Sequence, residues 1–368
     1  MNNRQTEILY TIALTQIPSV GNITALKLID HCGSAEQIFK EPSKHLSKIE
    51  HISSAAIENI ASSKEMALDT ACKEMEYIEK KNITVFLKGE ETYPLLLTQC
   101  VDAPVILFGK GNLNLNPKHT IAIVGTRRTT EYGIRVTKKI VQELIDCEGL
   151  QVISGLAIGI DTIAHQSALQ NSFSTVGILG HGLPMLYPAG NRKLAEKMQE
   201  NGGLLTEFIS TVTGEACNFP RRNRIIAGMA EAVLIVEAYE KGGALITANL
   251  GASYNRDIFA IPGRIGDKAS EGCNNLVKSN KAAMVTSGKD IIRLMMWENK
   301  LSKNTGKGIQ KKLLLDLNEE ERLIVDALQN GTELDIDALS IATNLTIATL
   351  SMTLLMLEFK GIIDCLPG

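Results

Sequence analysis

Between residues 120 and 285, short all-apolar runs alternate with stretches of helical periodicity, and that alternation leaves few folds open to the chain. Strands are expected at 121–124, 151–154, 175–179, 204–206, 233–236, 258–261 and 283–285. Helices are expected over about 132–147, 160–170, 192–201, 221–230 and 244–254. Apolar strands separated by helices imply a parallel, doubly wound α/β sheet. Ligands of such sheets gather beyond the carboxyl ends of the strands, so the loops there are where function is to be sought.

The loop after the first of these strands is the most specific. In TIAIVGTRRTTEYG, residues 120–133, the strand ends at Val124 and Gly125 allows a sharp turn. Thr126, Arg127 and Arg128 follow, and a helix begins near Tyr132. A strand, a Gly-polar-Arg turn and a helix N-terminus make a place to hold a phosphate, because backbone N–H groups, the helix dipole and an arginine fork all favour an anion. The richest loop is NFPRRNRIIAG, 218–228, with Arg221, Arg222, Asn223 and Arg224 behind an aromatic, Phe219. A base can stack on Phe219 while guanidinium groups follow the backbone, which is how single strands are held without sequence preference. The structural alternative pairs these arginines with carboxylates such as Glu207 or Glu237, and Arg224 suits it. Lys241 and Arg264 are further cations beside the backbone-approach loops 242–247, ending at Thr247, and 262–264.

Two other loops are read more plainly. SGLAIGIDTIAH, 154–165, opens with Ser154 and Gly155 and places Asp161 and His165 one helical turn apart. They are either an acid–base pair or an N-terminal cap and a packed histidine. With no nucleophile or metal-ligand set nearby, the second is expected. Gly180 and Gly182 in GHGLP are expected to keep the crevice open. Missing are the G-x-G-x-x-G fingerprint, the Walker loop, H-E-x-x-H and G-x-S-x-G. A phosphate site without visible chemistry points to binding, with no cofactor and no metal.

Composition sets the frame. At 368 residues, 44% hydrophobic and 21% charged, two or three globular domains are expected. No apolar run approaches the ~18 to 20 residues of a membrane span, and the N-terminus lacks a signal-peptide core. Seven cysteines (32, 72, 100, 147, 217, 273 and 365), never in a C-x-x-C pair, fit reduced thiols and a cytoplasmic protein. The net charge of −3 argues against nucleic acid until it is split: +2 over 118–264 and +6 over 265–315, but −8 over 316–368.

Four segments follow. Residues 1–81 read as a helical domain. Its helices flanking IPSVGN, 17–22, resemble a helix-hairpin-helix (SAM-like) element, although Lys27 is the only nearby cation and a plain helical hairpin is expected. Residues 82–298 form the sheet domain, entered through short β runs at 83–87 and 105–108. Residues 299–315 are a basic linker. Residues 316–368 suggest an acidic winged helix, with Asn318 capping the first helix, further helices at 335–342 and 346–359, and a short strand at 361–364.

The motifs VGTRRTTEYG, SGLAIGIDTIAH, GHGLPMLYP, FPRRNRIIAG, GGALITA and FAIPG, in that order, resemble those of the DNA-processing protein A (DprA/Smf) family, strongly over about 118–290 and more weakly towards both termini. The resemblance implies an extended Rossmann-like domain that binds single-stranded DNA, dimerises, and brings RecA recombinase onto incoming strands during natural transformation, without being an enzyme. It places the family's Gly-Ser/Thr-Arg on Gly125, Thr126 and Arg127, and its Phe-Pro-x-Arg-Asn-Arg on Phe219, Pro220, Arg222, Asn223 and Arg224. Two departures stand out: Gly242 and Ala244 where the family carries hydroxyls, and Asn255 before Arg256 where it carries glycine. The alternative is a phosphoribohydrolase acting on nucleoside monophosphates. Its Pro-Gly-Gly-x-Gly-Thr pattern is not matched by 241–247, which lacks the proline and the third glycine.

Overall fold

A computed structural model describes residues 2–297, 317–328, 334–359 and 363. The chain forms two compact units that divide after residue 299. In the first, nine strands make one mixed sheet: β1 (Thr84–Leu87), β2 (Ile106–Asn112), β3 (His119–Val124), β4 (Leu150–Ser154), β5 (Ser174–Ile178), β6 (Gly202–Thr206), β7 (Ala232–Ile235), β8 (Asp257–Ala260) and β9 (Ala283–Met284). Their order is β1-β2-β6-β5-β4-β3-β7-β8-β9. The stretch from β6 to β9 is parallel, while β1 and β2 add an antiparallel edge. From β3 the chain winds outward to β6 and then returns to lay β7 beside β3. This reversal opens a crevice at the carboxyl ends of β3 and β7.

Alternation along the strands splits the core in two. Ala122 and Val124 of β3 join the layer under the helices Asn218–Gly228 and Gly243–Ser253. Ile121 and Ile123 join the opposite layer, under the helices Glu131–Glu143 and Ile160–Gln170. The helix expected from Arg221 begins earlier, at Asn218, with Pro220 in its first turn, where a missing N–H breaks no ladder bond. Two short helices escaped the periodicity, Glu271–Lys278 and Gly288–Leu294, each barely two turns long.

Six helices precede β1, from Asn3–Gln16 to Lys64–Lys81. They share one apolar core with the antiparallel edge: Ile12, Leu14, Leu28 and Ile38 pack in a cluster with Val85, Ile106 and Phe108. The last of them stops at Asn82, whose φ of +50° is left-handed and cannot continue the helix. In the second unit the helices Glu319–Ala327, Ile336–Thr343 and Ile347–Phe359 bury Ile324, Leu339, Leu350 and Leu357 together. Asn318 and Glu321 form a reciprocal cap at the start of the first of these. The expected linker at 299–315 and, apart from Ile363, the strand at 361–364 lie outside the described residues. Among the described residues no single helix is long and apolar enough to cross a membrane.

Candidate nucleic-acid interface

The crevice at the β3/β7 reversal is a cleft of about 570 Å³. It draws Gly125, Thr126 and Arg127 from the loop after β3, Phe219, Arg222 and Asn223 from the helix Asn218–Gly228, and Thr247 from the helix Gly243–Ser253. Arg127 is exposed, and its guanidinium carbon lies 5.5 Å from the centre of the Phe219 ring. Tyr187 stands on the same ring, 5.7 Å between centroids and tilted by 46°. A cation and two aromatic rings at the mouth of the cleft can stack a base and grip its phosphate together. The loop is held from below: Thr126 N–H donates to the Glu237 carbonyl at 2.8 Å, and Arg128 N–H donates to the Thr126 hydroxyl at 3.0 Å.

Gly159 sits against this turn with φ +91°, and a Cβ there would lie 2.3 Å from the Thr126 carbonyl oxygen. Gly159→Ala therefore combines left-handed strain with a backbone clash, together worth on the order of 1–3 kcal/mol. The expected outcome is a displaced 126–128 turn, read as lower thermal stability and weaker oligonucleotide binding in the same variant.

Several expected contacts are different in the structure. The helix N-terminus at Glu131 does not offer its dipole to a ligand. The buried Glu237 carboxylate accepts from Thr130 N–H at 3.1 Å and from the Thr130 hydroxyl, and Gly133 N–H donates to Thr130 Oγ1 at 3.2 Å. An internal anion already satisfies that end. Arg222 is only 4% exposed. Its Nη1 donates to the Gly155 carbonyl at 2.5 Å and to the Ile178 carbonyl, and its Nε donates to Asn223 Oδ1 at 2.9 Å. Arg222 lines the cleft but acts first as a brace between loops. Gly155 is gripped from both sides, since its N–H donates to Asp161 Oδ2 at 3.1 Å. Its Cβ would meet the Arg222 guanidinium at 2.1 Å. Burial lowers the Arg222 pKa to about 10, with nearby Asp161 opposing the shift, so the group stays charged at neutral pH. Burial pushes the Asp161 carboxyl up, against the pull of Arg222.

Arg224 takes the carboxylate-paired role: its Nη2 meets Glu207 Oε2 at 2.5 Å and its Nη1 donates to the Asp102 carbonyl. Ser154 is buried with its hydroxyl on the Ile123 carbonyl at 2.7 Å. Gly180 and Gly182 serve packing rather than ligand approach, for Cβ atoms there would meet Phe219 at 3.0 Å and the Ile209 carbonyl at 2.3 Å. Arg128 and Lys241 are exposed but do not line the cleft. Arg221 points to a different cavity. Of the departures, Gly242 and Ala244 do line the cleft, so the lost hydroxyls fall on it. Asn255 adopts φ +57°, a left-handed position asparagine accepts in place of glycine. Sequence reasoning missed Tyr187 and Tyr239 in the lining. Tyr239 follows β7 by four residues, and Tyr187 lies further along the segment that follows β5.

His165 is fully buried and does no acid–base work. Thr175 Oγ1 donates to the Val152 carbonyl at 2.8 Å, so at 2.7 Å it accepts from His165 Nδ1–H. The bare Nε2 has no hydrogen-bond partner. Desolvation pushes this imidazole down to about 3. A histidine with a depressed folded pKa leaves stability intact above its unfolded value of ~6.5 and removes it as pH falls from there towards 3. Asp161, raised by burial, works in the opposite direction. His165→Asn keeps a donor for Thr175 and removes the titration. Its urea stability is expected to fall less steeply than the parent's between pH 6.5 and 4.

The sheet and its crevice define an extended Rossmann-like domain with a ligand cleft at the strand-order reversal. Residues 84–296 match the family described as DNA recombination-mediator protein A, and residues 311–368 match the DprA winged helix domain. The chain is 40% identical over 203 residues to DNA processing protein DprA of Streptococcus pneumoniae, covering 55% of this chain and 71% of that protein. It is 33% identical over 326 residues to protein Smf of Synechocystis, covering 88% and 77%. The X-ray structure of the S. pneumoniae DprA superposes with a TM-score of 0.65 at 32% identity, over 78% of this chain and 97% of that one. A structure addressing the single-stranded DNA binding mode of DNA processing protein A from Helicobacter pylori gives a TM-score of 0.53 at 27% identity, over 58% and 95%. The chain belongs to the DprA/Smf family.

Proposed function

We propose that this protein binds single-stranded DNA in the β3/β7 crevice, leaves it chemically unchanged, and loads RecA recombinase onto it in the cytoplasm during transformation or recombination, acting as a homodimer. The observation that carries the reading is the contact of Arg127, Phe219 and Tyr187 at one rim. It combines a cation for phosphate with rings for a base, which suits a flexible single strand better than a duplex whose bases are stacked inward. The H. pylori relative, described by its single-stranded DNA binding mode, supports the ligand. The absence of catalysis is supported by the state of the Asp161 carboxylate, which lines the cleft, and of His165 one turn further along its helix: Asp161 is engaged by Gly155 N–H, and His165 is neutral and packed.

Photo-crosslinking tests the placement. A bromodeoxyuridine-substituted oligonucleotide is expected to attach to peptides containing Phe219 or Tyr187, and adducts confined to other surfaces would remove the crevice from the account. Incubation with AMP is expected to release no adenine. RecA filament formation on the strand, followed by its ATP hydrolysis, is expected to start sooner with the protein present than with Arg127→Ala.

A further inference from the structure

Among the described residues the exposed tyrosines are Tyr132, Tyr187 and Tyr239, and all three stand at the carboxyl-end rim of the sheet. Tyr187 belongs to the mouth of the crevice, and Tyr239, 38% exposed, lines it from the loop after β7. The next strand of the sheet beyond β7 is β8, parallel to it, so the loop that follows β8 rises alongside. The two loops are joined. Gly272 N–H, just past the second loop, donates to the Ala238 carbonyl at 2.8 Å, and a Cβ on Gly272 would lie 2.7 Å from the Tyr239 carbonyl oxygen. Ala238 and Tyr239 line the crevice, so the second loop begins where the crevice ends.

That loop, residues 262–270, reads PGRIGDKAS. Arg264, Ile265 and Lys268 are exposed, and neither cation forms an ion pair among the described residues. An isolated exposed isoleucine needs no explanation of its own. This one is displayed on a tied frame. Gly263 N–H donates to Asn274 Oδ1 and Asn274 Nδ2 donates to the Gly263 carbonyl, each at 3.1 Å. The Tyr132 hydroxyl donates to the Pro262 carbonyl at 2.7 Å. Asp267 N–H donates to the Arg264 carbonyl at 3.2 Å and Ser270 N–H to the Asp267 carbonyl at 2.9 Å, with Ala269 and Ser270 buried. A preformed loop thus holds two cations out to solvent with an apolar side chain between them, which lowers the ordering cost of binding. Its two cations against the one carboxylate of Asp267 leave it net positive, so the fitting partner is an anion that also carries apolar faces. A single strand offers both, with phosphates along its backbone and unpaired base faces between them.

We propose that the strand held in the crevice continues over Tyr239 onto the loop 262–270, where Arg264 and Lys268 take two further phosphates and Ile265 lies against a base. The proposal rests on the single-stranded DNA reading given above and extends that site along the rim towards β8.

The test compares labelled oligonucleotides of about 4 and about 16 nucleotides, the range over which single-strand sites fall, by anisotropy with the full chain across a salt series. In the double variant Arg264→Ala/Lys268→Ala the long strand is expected to bind about five- to tenfold more weakly. Its slope of log affinity against log salt should become shallower by about 1.4, two phosphates at ~0.7 each. The short strand, which the crevice holds alone, should be unaffected. Ile265→Ser is expected to weaken the long strand about threefold and to leave the slope as it was. All three side chains are exposed, so melting curves should match the parent's. A double variant that keeps the parent's affinity and slope on the long strand would overturn the track. If that variant instead loses sedimentation with anionic phosphatidylglycerol vesicles, the loop belongs to a membrane contact. Equal losses on both lengths would also overturn it, because the loop would then act on the crevice itself. An Ile265→Ser affinity equal to the parent's would overturn the base contact. Loss of binding in Arg127→Ala without loss in the double variant removes only the track, whereas a parent that binds neither length would defeat the crevice reading itself.

Discussion

Replacing Arg127 with alanine is expected to weaken single-stranded DNA binding about 10- to 100-fold while leaving thermal stability unchanged. The side chain is exposed and forms no ion pair among the described residues, so its loss leaves no orphaned partner in the fold. What disappears is a charge-assisted contact to phosphate, worth about 1.5–3 kcal/mol, and the cation beside Phe219. The loss should be equal for all sequences, because phosphate contacts carry no base information. Fluorescence anisotropy with labelled oligonucleotides, alongside a melting curve, checks both halves. A variant that binds as tightly as the parent would remove Arg127 from the interface.

Replacing Arg222 with alanine should act in the other direction, on the fold before the ligand. Its guanidinium holds the carbonyls at the ends of β4 and β5, and its positive charge acts on the buried Asp161. Removing one member of a buried charged set costs about 3–5 kcal/mol, since the other is left unpaired. Urea unfolding should show that loss at neutral pH, and Arg222→Lys should recover only part of it, lacking the fork. Without Arg222 the Asp161 carboxyl rises further above its unfolded value. Protonating it relieves the buried charge, so the deficit should shrink as pH falls. A deficit independent of pH would mean that Asp161 does not sense Arg222.

These two arginines show how much of the site was legible. Arg127 stands in the loop at the carboxyl end of β3 and Arg222 in the first turns of the helix Asn218–Gly228, and both line one cleft. Which one faces solvent was not legible. Arg222 reaches carbonyls 67 and 44 residues away, at Gly155 and Ile178, and no local pattern reports which loops will converge on a given side chain. The same holds for Glu237, which reaches back 107 residues to cap the helix whose N-terminus looked free for phosphate. Arg224 was partly readable: charge alone suggests a carboxylate partner, Glu207 or Glu237, and the structure makes it Glu207.

The fold was more legible than the site. The seven expected strands each fall within two residues of a real one, because an apolar run between glycine and polar residues is a local signal. The antiparallel direction of β1 and β2 was not readable from their composition, since it depends on β2 pairing with β6, nearly a hundred residues further on. Nor was the shared core between the first six helices and that edge, which a segment-by-segment reading had set apart at residue 82.

The proposed binding depends on a cationic rim that grips a flexible sugar–phosphate chain. The most direct measurement is the anisotropy of labelled single-stranded and double-stranded oligonucleotides with the full chain across a salt series. The single strand is expected to bind more tightly, with log affinity falling linearly in log salt by about 0.7 per phosphate neutralised. Single-strand affinity that does not change with salt, or a duplex held as tightly as the single strand, would contradict it.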